Sequence, residues 1–144
     1  MISDRGSIVN PAKAGALLNY MNTPATHRDL VAWQEAMALV ESVYRDTASF
    51  PREETFGLAN QIRRCAFSVP SNIAEGAARN SSREYVQFLG ISCGSLSELE
   101  TQLELATRLE FMKADSISFK HADRVARLVR ALRKALKARL DSGK

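Results

Sequence analysis

From about residue 28 to residue 140 the apolar side chains recur at steps of three and four, the spacing that lines one face of a helix. Leu30, Trp33, Met37, Val40 and Tyr44 share the face of a first helix that begins near Arg28. Phe50-Pro51 interrupts it. Pro51 followed by Glu53 and Glu54 predicts the start of a second helix, because a fixed φ and negative charge both suit the open amides of a first turn. The second apolar line is Leu58, Ile62, Cys65, Val69 and Ile73, and Pro70 within it removes one amide donor and crowds the carbonyl of Ala66, which predicts a bend. Gly76 and the polar run Arg79-Asn80-Ser81-Ser82 end this helix, and Ser81 with Glu84 three positions on forms a capping box for the next. The third helix spans about Ser82 to Leu109, with Leu89, Leu96, Leu99 and Leu103 on one face and Phe88, Ile91 and Leu105 beside them. The last, about Ser116 to Leu140, carries the stripe Val125, Leu128, Val129, Leu132 and Leu136. No segment alternates like a strand, so the pattern predicts an all-α fold, an antiparallel up-down four-helix bundle with a kinked second helix.

Residues 1–26 show no sustained period and contain Gly6, Pro11, Gly15 and Pro24, which predicts a flexible tail ahead of a bundle domain over 27–140 and a disordered end at 141–144. A chain of 144 residues with 45% hydrophobic content builds one core without disulfides or metals. It has no run of about 18 apolar residues and no compact apolar block at its N-terminus, so a cytoplasmic location is expected. Cys65 and Cys93 lack CxxC spacing and flanking histidines and read as small buried hydrophobes, leaving no metal and no cofactor to expect. The sequon at Asn80 is a chance match in that setting.

Charge changes the picture. Residues 1–112 hold ten Lys/Arg against thirteen Asp/Glu, and the remaining residues hold ten against three, a net −3 followed by +7. On the final helix Lys120, Arg124, Arg127, Arg130, Arg133, Lys134 and Lys137 are expected opposite the apolar stripe, diluted only by Asp123. Such a face neutralises phosphates and releases counterions, which gives salt-sensitive binding to nucleic acid; the alternative is a solvated helix surface. Gly90, Cys93, Gly94 and Ser97 form a strip of small residues on the third helix, where a close helix contact would repay the low helix propensity of glycine. Gly90-Ile91-Ser92-Cys93-Gly94 matches a hydrolase pattern, but that pattern needs a strand-to-helix turn and here lies mid-helix. A polar stripe, Ser68, Asn72, Glu75 and Arg79 with Gln61 and Arg64, reads as a structural network across helices, with Glu75–Arg79 a favourable i,i+4 pair. No enzyme is expected.

The segments DLVAWQEA (Asp29 to Ala36), FGLANQIRRCAFSVPSNIAEG (Phe56 to Gly76) and REYVQFLGISCGSLSELETQL (Arg83 to Leu103) resemble the four-helix-bundle proteins named for intervening sequences in 23S ribosomal RNA genes. The accessory proteins of diversity-generating retroelements look similar. The resemblance implies an antiparallel bundle assembled as a ring, commonly a homopentamer, with no assigned catalytic activity. In the retroelement relatives it implies a basic surface that engages nucleic acid and a reverse transcriptase. It also implies that Arg63 and Arg64 of the QIRR block stand beside the basic residues of the final helix. Residues 1–20 depart from the family, whose members begin shortly before helix one, which makes Met21 a candidate start. The expected function is a homo-oligomeric nucleic-acid-binding module; the alternative is a protein-interaction scaffold with a solvated basic face.

Overall fold

The computed structural model describes residues 26–143, so most of the expected tail lies outside the described residues. Thr26 caps a single 3-10 turn at His27–Asp29, and helix α1 follows over Val31–Thr47. A second 3-10 turn at Arg52–Glu54 leads to α2 over Leu58–Ala77; α3 covers Ser82–Arg108 and α4 covers Ile117–Ser142. There is no strand among the described residues. Each helix packs against the next and α4 closes back on α1, while the backbones of the diagonal pairs α1/α3 and α2/α4 make no close approach. This is the antiparallel four-helix bundle that the periodicity predicts. Leu39 and Val43 of α1, Ile62, Val69 and Ile73 of α2, Leu89, Leu96, Leu99 and Leu103 of α3 and Val125, Val129 and Leu136 of α4 are fully buried at its centre. Each such side chain stabilises the fold by about 1.5–3 kcal/mol relative to exposure.

The boundaries differ from expectation in three places, each for a local reason. Pro51 heads only the 3-10 turn, because the backbone of Gly57 (φ −102°, ψ −117°) breaks the path into α2. Glu54 then acts from outside the helix: its carboxylate accepts from the Leu58 N–H at 3.0 Å and supplies the missing cap. Gly76 does not terminate α2 but lies buried inside it, where a Cβ would stand 2.8 Å from Cβ of Phe88 and 3.0 Å from Cδ1 of Tyr85 on α3. At the C-terminus α4 continues through Asp141 and Ser142, which were expected to be disordered.

Two ends of helices carry their own devices. At the end of α3, Phe111 N–H donates to the Ala106 carbonyl and Glu110 N–H to that of Thr107, the paired bonds of a Schellman cap, with Glu110 at φ 62° where glycine is usual. At the start of α4, Ser116 makes no side-chain cap. The cap comes from α1 instead: Asp46 accepts from the Ser118 N–H at 3.2 Å and from its hydroxyl at 2.6 Å. Phe50 and Phe111, with ring centroids 5.7 Å apart, join the two connections at this end of the bundle.

Candidate nucleic-acid interface

Of the basic residues of α4, Lys120, Arg127, Arg130, Lys134 and Lys137 are exposed, while Arg124 and Arg133 are half-buried. Arg127 pairs with Asp123 one turn earlier, an exposed contact worth little. Arg124 reaches across to Glu35 of α1 at 3.2 Å, so its charge is directed into the α1–α4 seam. Arg133 turns the other way. Its Nε donates to the Val86 carbonyl of α3 at 3.2 Å, and its guanidinium lies over Gly90, where a Cβ would meet Nε and Nη2 at 3.3 Å. The expected single face opposite the stripe is therefore divided. At about 100° per residue Arg133 lies only about 40° from Val129, so it belongs to the flank that meets α3.

Along that flank Arg130, Arg133, Lys134 and Lys137 line a cleft of about 380 Å³ together with Cys93, Ala138 and Asp141. Burial pushes the Cys93 thiol up from its ordinary value, while the positive charges of Arg133 and Arg130 pull against it. Lys120, Arg130, Lys134 and Lys137 have no carboxylate partner among the described residues.

Arg63 and Arg64 do not join this cluster, because α2 and α4 are diagonal in the bundle. Arg63 donates from Nε to the Thr47 hydroxyl at 2.9 Å and stacks its guanidinium 4.8 Å from the ring centre of Tyr44, so it serves the α1–α2 seam. Arg64 is exposed on the opposite seam, lining a polar groove with Gln61, Cys65, Ser68, Ser95 and Glu98.

With the bundle and its charged flank in place, comparison with known proteins finds that the family model described as 23S rRNA-intervening sequence protein matches residues 28–135. The chain belongs to this family. No curated protein matches it. In this member of the 23S rRNA-intervening sequence protein family, the long central block from Phe56 to Gly76 builds α2 and most of its seam with α3. The Cys65 thiol donates to the Ser95 carbonyl at 3.0 Å, and the Ser68 hydroxyl meets that of Ser95 at 2.8 Å. Burial, and then the charge and hydrogen bonding of Glu98, push the Cys65 thiol up to about 12, so it stays protonated.

The rest of the polar stripe is less connected than expected. Asn72 donates to the Ser68 carbonyl of its own helix at 2.8 Å, and Glu75–Arg79 is an exposed pair at 2.8 Å, with Arg79 stacked on Phe88 of α3. Only Ser68 hydrogen-bonds across helices. The small strip of α3 also divides, because its members point in different directions. Gly90 and Cys93 face the α4 flank, while Gly94 and Ser97 are exposed and a Cβ on Gly94 would meet nothing within 4 Å. Gly94 makes no close helix contact among the described residues. Ser92 is fully buried and donates to the Val69 carbonyl of α2 at 3.1 Å, next to Pro70, which accounts for the serine of the hydrolase-like pattern as packing.

One polar cluster escaped the sequence reading. Between α1 and α4, Ser42 and Ser118 are buried, His121 Nδ1 lies 3.1 Å from the Ser42 hydroxyl, and Asp46 binds Ser118. These residues are 72 to 79 positions apart, so no local spacing joins them. The available signal was Asp46 itself, an acid in the last turn of a helix where negative charge is unfavourable unless it serves another element.

Proposed function

We propose that this protein is a non-enzymatic, homo-oligomeric module that binds RNA or DNA through the phosphate backbone, using the α4 cations on the α3 side. The observation that carries the reading is the group of Arg130, Lys134 and Lys137: exposed, without carboxylate partners among the described residues, and gathered on one flank beside the tethered Arg133. Contacts of this kind supply affinity without sequence readout. Self-association is supported by exposed apolar side chains on the outer faces: Met37 and Tyr44 on α1, Phe67 on α2, Ile91 and Leu105 on α3. A ring of copies, a homopentamer by the family resemblance, would cover such groups and repeat the basic flank around an axis. Weak contacts per subunit then combine through effective concentration. The resemblance to retroelement accessory proteins makes a reverse transcriptase a candidate protein partner.

The same apolar side chains favour the second reading, a protein-interaction scaffold, and one experiment separates the two. Duplex binding is measured across a salt series for wild type and for the combined Arg130→Gln, Lys134→Gln, Lys137→Gln variant, with native mass recorded for both. Each lost phosphate contact should flatten the log–log salt slope by roughly 0.9, while the oligomeric mass is unchanged. Equal affinity and slope in the variant reject the nucleic-acid reading, and loss of the oligomer would assign the flank to a subunit interface.

A further inference from the structure

We infer that the cleft between α3 and α4 lined by Arg130, Arg133, Lys137 and Cys93 is a site for a terminal phosphomonoester, carried by a nucleic-acid end or a free nucleotide. The inference deepens the proposed binding of nucleic acid and rests on it only for the identity of the carrier.

Arg133 is the centre of the argument. Its Nε is occupied by the Val86 carbonyl, which fixes the guanidinium plane and leaves the terminal Nη groups for a ligand. The seat for that plane is Gly90, whose missing side chain lets the guanidinium lie on α3. Glycine inside a helix is a poorer helix former than alanine, and here the space it leaves is filled by the held cation. Arg130 and Lys137 lie one turn to either side along α4, so all three long side chains can reach one anion; seven residues rise about 10 Å.

Charge and size narrow the ligand. The cleft collects Arg130, Arg133, Lys134 and Lys137 against a single carboxylate, Asp141. Such an excess suits a phosphomonoester, which carries roughly −1.5 to −2 at neutral pH, better than a singly charged diester. Asp141 follows Lys137 by one turn at the C-terminal end of the lining and marks the end of the positively charged cleft, so a backbone held by the exposed cations of the flank would leave its terminal phosphate here. A cleft of about 380 Å³ has room for one nucleotide.

The test compares one short single-stranded oligonucleotide in three forms, 5′-phosphorylated, 3′-phosphorylated and unphosphorylated, by fluorescence anisotropy, with adenosine monophosphate as competitor. A preference of roughly tenfold for either phosphorylated strand identifies a strand end as carrier. Displacement by the mononucleotide without any preference among strands identifies a free nucleotide. Arg133→Met, which keeps an apolar stem on Gly90, and Lys137→Gln, which alters only an exposed side chain, should each remove the preference or the displacement. The second readout is alkylation of Cys93, followed by peptide mass spectrometry to separate it from Cys65. Bound mononucleotide should slow it in wild type and not in Arg133→Met. Protection of Cys93 without binding of any strand would keep the site and reject the nucleic-acid reading. Equal affinity for the three strands with no displacement and no protection overturns the inference, as does survival of the effect in both variants.

Discussion

Gly76 and Gly94 both lie inside helices, and their surroundings are opposite. At Gly76 an added Cβ would collide with the anchored Cβ of Phe88, so Gly76→Ala should cost about 1–3 kcal/mol through overpacking. At Gly94 the space is open, and Gly94→Ala should stabilise the chain by about 1 kcal/mol through helix propensity alone. Urea unfolding of the two variants checks the pair, and a destabilised Gly94→Ala would show that another surface covers it. Nothing local distinguishes these glycines, because the difference lies in the partner helix; this is why Gly76 reads from the sequence as a terminator and Gly94 as a contact. Tyr85 gives a pH-dependent case. Its side chain is buried, its hydroxyl has no hydrogen-bond partner among the described residues, and burial pushes its pKa from 10.0 to about 12. The folded state thus favours the neutral phenol, and the associated stability is present below the ordinary value and lost as pH rises towards the folded one. Tyr85→Phe should be at least as stable as wild type at neutral pH, and its advantage should widen between pH 10 and 12. An advantage that stays constant over that range would exclude the phenol as its source.

Helix ends are where local reading and tertiary structure part company. The apolar periods located the four helices and the buried lines of α2, α3 and α4, but on α1 the expected face was wrong: Met37 and Tyr44 are exposed, and the smaller Ala32 and Ala36 with Leu39 and Val43 face the core instead. The cap of α4 is different: its acceptor, Asp46, belongs to another helix. Asp46→Ala should therefore destabilise by about 1 kcal/mol and fray the first turn of α4, while Asp46→Asn, which keeps an acceptor, should lose less. Hydrogen exchange at residues 117–119 is the measurement, and unchanged protection in the alanine variant would show that Ser116 suffices. The basic flank of α4 is a mixed case. Its composition was legible, because the cations outnumber acids so strongly near the C-terminus. Its division was not, since the tether of Arg133 to Val86 and the pairing of Arg124 with Glu35 depend on which helices flank α4.

For the whole molecule, the order of helices around the bundle decides which residues can act together. Arg63 and Arg64 were expected beside the α4 cations through the family resemblance of the QIRR block, yet a ring of four helices puts α2 across the core from α4. Among the described residues the acid-rich stretch before α4 and the basic α4 likewise become a transverse asymmetry, with the basic helix along one edge of the bundle. The closure of α4 onto α1 has one more result. In an up-down bundle α1 begins at the same end where α4 finishes, so the covalent order of the helices is only one of several that suit the same packing. A chain reopened between α2 and α3, at the exposed Asn80, and rejoined by a flexible linker from α4 to α1 would keep every helix contact and the Asp46 cap. Connectivity and architecture are separable here, and a genetically rearranged chain should reach the same bundle.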